Sequence, residues 1–167
     1  MKPAVVPDAN ILVSACINAR GKPAELIRLC ANDRVRLLTS PPMWDEMVPV
    51  LDRPNVRKHI SLGDRQLKQW LADVSSIMEW TPGKRRLKVV ANDPDDHKVV
   101  ACAIEGHADY IVTGERHLLD IGSYKGIYII AAEKFLQYWR SLDDKAHSNR
   151  SSLCRTLVGR GAADSPA

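Results

Sequence analysis

Four apolar runs in this chain are each too short to make a helix, and each leads into a segment of helical character. AVVP (4–7), VRLLTS (35–40), DYIVTG (109–114) and IYIIAA (127–132) read as strands, with a short edge strand over 77–81. Between them, KPAELIRLCAND (22–33) sets Ala24, Leu26, Ile27, Leu29 and Cys30 at helical spacing. PPMWDEMVPVLDR (41–53) opens on prolines suited to a helix start and carries Pro49, which is expected to kink or split the helix. SLGDRQLKQWLADVSSI (61–77) places Leu67, Trp70, Leu71 and Val74 on one stripe, with Ser61 or Asp64 as the expected cap. After the basic loop GKRRLK and the pair Val89–Val90, DDHKVVACAIEG (95–106) has an Asp-rich start and a glycine stop, as a helix should. ERHLLDI and AEKFLQYWRSL complete the series. Strands alternating with helices over such short connections predict an α/β fold, a doubly wound parallel sheet in one domain.

The chain has 167 residues, enough for one such domain and too few for two. From 143 onward it turns polar and rich in Gly, Ser and Ala, so the domain is expected over 1–142 and a disordered tail over 143–167. Cys16, Cys30, Cys102 and Cys154 show no CxxC spacing, and the first three sit among apolar residues as small core hydrophobes. No run of about 18 apolar residues is present, so no membrane span is expected. MKPAVVPDAN is too short and too soon acidic for a signal peptide, which makes the cytoplasm the expected compartment. Net charge is +4, and acids gathered in one cleft leave the remaining surface more basic than that sum.

The acids are placed where a parallel sheet collects its functional groups, at the carboxyl ends of the strands. Asp8 follows the first strand, Asp96 begins a helix and Glu115 follows IVTG, while Glu46 lies on the helix after the second strand. Each has an ordinary reading. Asp8 suits a helix N-cap, with Asn10 able to orient it and Ser14 one turn further on. Glu46 suits an exposed helical position. Asp93, Asp95 and Asp96 suit a helix dipole, although three acids in four positions exceed what a cap requires. Glu115 suits a helix start. Carboxylates brought together in a pocket repel one another unless a cation holds them.

The order of these motifs resembles the PIN-domain ribonucleases, and within them the PIN-family toxins of toxin–antitoxin modules, the group related to VapC. VVPDANILVSA resembles the family's first strand, Asp and Asn-bearing helix start. SPPMWDEMVPVLDRP resembles the helix with the second acid, ending at Arg53-Pro54. DPDDHKVVACAIEGHADYIVTGERHLLDI resembles the stretch with the third acid, the small-residue helix and the strand before the fourth. The resemblance covers about residues 4–140. It implies a three-layer α/β/α sandwich with a central parallel sheet, and an endoribonuclease with Asp8, Glu46, Asp96 and Glu115 as catalytic acids. It also implies Mg²⁺ or Mn²⁺ on Asp8, Asp96 and Glu115, with Asn10, Ser14 and Thr113 in support. A metal-activated water would cut RNA to a 5′-phosphate and a 3′-hydroxyl. The implied partners are RNA, a cognate antitoxin and, in a homodimer, a second copy. The chain departs from the family pattern at Ala9, where Thr is usual, at Pro7 within the first strand, and at Glu115, where Asp is usual.

RNA contacts are expected from two basic clusters, one of Lys84, Arg85, Arg86 and Lys88, the other of Arg53, Arg57, Lys58 and His59. Trp44, Trp70, Trp80 and Trp139 suit either base stacking or packing, and Trp70, Trp139 and Leu136 are candidates for a dimer face. His97 and His117 lie near the acids in sequence, with no role assigned to them. The alternative function is a PIN-like module, catalytically weak or inactive, that binds RNA or a protein partner. A receiver domain or a phosphatase is a more distant option. The first strand ends Asp8-Ala9-Asn10 rather than in the Asp-x-Asp of one phosphatase class.

Overall fold

The computed structural model describes residues 2–87 and 94–158, the side chains of Pro94 and 149–158 excepted. Lys88, Val89, Val90 and Asp93, together with the last nine positions of the expected tail, lie outside the described residues.

Among the described residues six strands form one sheet: β1 (Ala4–Pro7), β2 (Arg36–Thr39), β3 (Glu79–Trp80), β4 (Tyr110–Val112), β5 (Ser123–Tyr124) and β6 (Ile127–Ile130). Their order is β3-β2-β1-β4-β6-β5, parallel throughout except for the antiparallel edge pair β5–β6. Among the described residues eight helices surround the sheet: α1 (Ala9–Ile17), α2 (Lys22–Ala31), α3 (Pro41–Leu51), α4 (Pro54–Arg57), α5 (Asp64–Ile77), α6 (Pro94–Glu105), α7 (Arg116–Ile121) and α8 (Ala132–Val158). The three-layer expectation holds because successive strand residues face opposite ways. Val5 joins a core with α1, α2, α5 and Phe135 and Leu136 of α8, whereas Val6 joins another with Val100, Cys102 and Ala103 of α6 and Leu118 of α7. Cys16, Cys30 and Cys102 are buried thiols, as their apolar neighbours predict.

The chain moves outward from β1 to β2 and β3, then crosses to β4 on the other side of β1. This reversal leaves a crevice at the carboxyl ends of β1 and β4, where α1 and α6 diverge. Pro7 is tolerated there. The Asp8 N–H donates to the Val112 carbonyl on the β4 side, so by alternation the donor missing at Pro7 faces β2. The β1–β2 register is carried by Ala4–Arg36 and Val5–Leu37, before Pro7 is reached.

Other expectations are corrected. Pro49 does not split its helix: it falls in the last turn of α3, which ends at Leu51. Neither Ser61 nor Asp64 caps α5; the cap is Gly63, whose N–H donates to Gln66 Oε1 at 3.0 Å. The segment beyond 142 continues α8 to Val158. No Gly or Pro interrupts the chain between 143 and 158, so nothing in that stretch stops a helix already anchored by Phe135 and Leu136. Two ion pairs, Arg140–Glu25 and Arg34–Asp143, tie it back across the molecule. Leu136, a candidate for a dimer face, is in the core at 1% exposure. The four indoles are engaged in packing: Trp44 meets Trp80 edge to face at 5.5 Å, Trp70 and Trp139 lie against the core, and the Arg34 guanidinium sits over Trp139. Among the described residues no helix is long and apolar enough to cross a membrane.

Candidate active site

The crevice at the sheet reversal opens into a cleft of about 300 Å³ walled by Asp8, Glu46, Asp95, Asp96 and Glu115. Four elements deliver them, which is how residues 107 positions apart in sequence come to share one wall. Asp8 ends the central strand and caps α1, its Oδ1 accepting from the Ile11 N–H at 3.1 Å. Thr113, fully buried just past β4, donates its hydroxyl to Asp8 Oδ2 and accepts from the Glu115 N–H at 3.0 Å. One hydroxyl thus ties the first acid to the backbone of the last. Asn10 Nδ2 donates to Glu115 Oε1 at 2.5 Å, so the Asn10 side chain orients Glu115 while its backbone N–H serves Asp8.

Asp8 and Asp96 are each only 5% exposed, unusual for carboxylates. Burial pushes the Asp8 carboxyl above its ordinary range, against the hydrogen bonds from Thr113, Ile11 and Asn10, and the charge of Glu115 adds to the rise. Two nitrogen-bearing side chains of the same cleft, Lys98 and His117, lie against the other acids. Lys98 Nζ donates to Glu46 Oε2 at 2.6 Å and approaches Asp95 Oδ1 at 3.5 Å. Its pKa is raised, chiefly by the bond to Glu46, so it stays protonated. His117 Nε2 lies 2.6 Å from Asp96 Oδ2, and His117 Nδ1 is 4.0 Å from Glu115 Oε2. With the carboxylates drawn toward these partners, no three His, Cys, Asp or Glu side chains among the described residues are gathered as a ready ligand set.

The structure therefore brings Asp8, Glu46, Asp96, Glu115, Asn10 and Arg53 to one cleft, with Thr113 directly behind it. Ser14 is exposed and is not among the described lining residues, because α1 runs away from the cleft after its first turn. Of the basic loop, Arg85 and Arg86 line a neighbouring hollow, whereas Lys84 is exposed and lines neither. Lys98 and His117 belong to the site and were not foreseen. Lys98 had a local signal, standing one helical turn after Asp95. His117 had one too, two residues beyond Glu115 at the start of a short helix, but neither position discloses its tertiary partner.

The sequence profile of the PIN domain matches residues 4–117, which takes in every acid of the cleft. An uncharacterized protein of the archaeon Methanocaldococcus jannaschii is 31% identical over 117 residues, covering 70% of this chain and 74% of that protein.

Proposed function

Since this chain belongs to the PIN-domain family, whose members are generally metal-dependent nucleases, we propose that it is a Mg²⁺- or Mn²⁺-dependent endoribonuclease acting at the Asp8–Glu46–Asp96–Glu115 cleft. The observation that carries this reading is the pair of carboxylates, Asp8 and Asp96, buried to 5% exposure and facing one hollow. Holding anionic oxygens out of water is costly, and a structural role would be met more cheaply by neutral groups. The donor set fits a hard divalent cation, which takes carboxylate oxygens. Asp8, Asp96 and Glu115 would hold it, and Glu46 would complete the pocket. Bound there, the ion supplies a water of lowered pKa and neutralises charge on the phosphate.

The chain's own groups do the rest. Thr113 and the α1 backbone fix the Asp8 carboxylate, and Asn10 fixes Glu115, so two ligands are oriented in advance. Glu115 reaches one methylene further than the usual Asp, and the Asn10 bond sets where that reach ends. His117 and Lys98 hold positive charge or hydrogen-bond donors against Asp96 and Glu46. Arg53 stands at the cleft wall to meet an RNA phosphate, and Lys84, Arg85 and Arg86 extend the basic surface. The role as toxin of a toxin–antitoxin pair, with a protein antitoxin, is the finer part of this reading and rests on the motif resemblance. A small adjacent gene encoding a DNA-binding partner that blocks cleavage tests it.

The decisive experiment combines cleavage with melting. Purified protein should cut single-stranded RNA with Mn²⁺ and not with EDTA, and Asp96→Asn should lower kcat/KM by about 100-fold or more. Saturating Mn²⁺ should also raise the melting temperature, by about 2.7 kcal/mol of added stability at 100 times Kd, and Asp8→Asn should erase that rise. Cleavage that survives both substitutions rejects the site. The second reading, a binding module without catalysis, is favoured by the partners that Glu46 and Asp96 already have. It gains if Mn²⁺ leaves melting unchanged while RNA still binds.

A further inference from the structure

Beside the acidic cleft lies a second hollow of about 290 Å³, and Lys98 lines both. Its described walls include Ser40, Arg85, Arg86, His97 and Ala101, with no Phe, Tyr or Trp among them. Helix α6 explains the adjacency: Asp95 and Asp96 face the cleft, while His97 and Ala101 face the hollow.

The basic wall is held by an uncommon contact. Three consecutive backbone N–H groups converge on the Glu105 carboxylate at the end of α6: Gly83 on Oε2 at 2.7 Å, Lys84 on Oε1 at 2.9 Å and Arg85 on Oε1 at 2.7 Å. Such a backbone concavity binds anions. Burial pushes the Glu105 carboxyl upward, yet the bonds from Arg85, Gly83 and Lys84 outweigh it and hold the group below its ordinary range. Gly83 has a positive φ of 65°, and a Cβ there would lie 2.6 Å from Pro42 Cδ. The loop is thus wedged against the start of α3, the helix that carries Glu46. Four arginines are committed to ion pairs among the described residues, Arg34 with Asp143, Arg36 with Glu79, Arg57 with Asp64 and Arg140 with Glu25, whereas Arg53 at the cleft wall is not. Among the described residues Arg85 and Arg86 have no such pair. A backbone fixed this firmly, carrying two uncommitted guanidinium forks over a hollow, suits the oxygens of a phosphodiester.

We propose that this hollow binds the RNA phosphate next to the one being cut, through Arg85, Arg86 and Lys98, and that Glu105 is the positioning residue that holds its basic wall in place. The proposal deepens the nuclease reading and rests on it for the identity of the ligand. Lys98 then has a double placement, against Glu46 on one side and the bound phosphate on the other, which links occupancy of the hollow to the acidic cleft.

The test measures binding without cleavage. Fluorescence anisotropy of a labelled single-stranded oligouridylate in EDTA is compared for wild type, the double variant Arg85→Ala/Arg86→Ala, and Glu105→Ala. The double variant should lose about tenfold or more in affinity, and the slope of log affinity against log salt should fall by about 1. Glu105→Ala, which leaves every cationic side chain in place, should lose affinity several-fold, and Glu105→Gln should restore part of it. In Mn²⁺ assays all three should raise KM while kcat stays within about twofold. Double-variant affinity and salt slope equal to those of wild type overturn the subsite. A lower melting temperature for Glu105→Ala with unchanged RNA affinity overturns the positioning role. If wild type cleaves while the double variant binds normally, this proposal fails alone. If wild type does not cleave but binding depends on Arg85 and Arg86, the nuclease reading fails and the subsite stands.

Discussion

The sheet opens into a hollow at each end, and the two hollows treat charge differently. At the amino ends of β1, β4 and β6 lies the larger, about 460 Å³, among Tyr110, Phe135, Tyr138 and Trp139. The charged groups around it serve the fold. Asp109 accepts from the Ala4 N–H at 2.9 Å, Lys2 pairs with Asp33, and Asp143 pairs with Arg34. At the carboxyl ends the hollow is smaller, yet it contains two nearly buried carboxylates, Asp8 and Asp96, and burial with the added charge of Glu115 pushes the Asp8 carboxyl upward. The size of a cavity therefore says little about chemistry here. Charge kept out of water, at the point where the strand order reverses, says more.

If the amino end is a matter of packing, disrupting it should cost stability and leave chemistry alone. Phe135, 1% exposed and edge to face with Tyr110 at 5.2 Å, is the sharpest probe. Phe135→Ala should destabilise the protein by about 3–5 kcal/mol in urea titrations. RNA cleavage per folded molecule should not change. A fall in kcat at full folding would show that the two ends are coupled and would break the contrast.

The converse probe is Thr113, at the carboxyl end. Thr113→Val keeps the shape and removes the hydroxyl shared by Asp8 and the Glu115 N–H. Loss of about 1–3 kcal/mol is expected, because a buried polar partner is left behind. Mn²⁺ affinity by calorimetry should fall by about 10–100-fold, a larger effect than the stability loss implies for a purely structural hydroxyl. Equal Mn²⁺ affinity in the two proteins would reduce Thr113 to packing.

How much of this is legible from sequence follows from the range of each signal. Strand and helix placement is local, so β1, β2, β4, β6 and the stripe of α5 emerge from periodicity. Asp8 and Asp96 are legible because each stands at the junction of an apolar run and a helix. The two-residue β5 has no period to read, and α8 outruns its apolar stripe because helix can persist where composition alone suggests a tail. The pairings of Lys98 with Glu46, His117 with Asp96 and Glu105 with the 83–85 backbone are tertiary, joining positions 52, 21 and about 20 residues apart. No spacing rule reports such partners. GKRRLK looks like a solvated basic run until the carboxylate beneath its backbone is seen.

The smallest expected effect tests whether amino-end charges are ordinary surface pairs. Arg36 and Glu79 begin the adjacent parallel strands β2 and β3 and meet through two bonds, Nε to Oε1 at 2.8 Å and a second guanidinium nitrogen to Oε2 at 2.6 Å. The hydrogen bond from Arg36 is the main cause holding the Glu79 carboxyl below its ordinary range. A depressed pKa means that the folded state favours the ionised form. Its contribution is therefore fully present above the unfolded value, about 4.3 for Glu, and is lost as pH falls through the lower folded value. Both side chains are well exposed, at 41% and 50%, so solvent screening limits the pair to about 1 kcal/mol or less. Urea titrations of wild type and Glu79→Gln should differ by that small amount at pH 7. They should begin to converge as pH falls past the unfolded value and meet once it is below the lower folded value, and high salt should narrow the gap at neutral pH. A gap that persisted into acid would mean that Glu79 acts through packing or backbone contacts rather than through its charge. The amino edge would then lose its standing as the region where charge only decorates the fold.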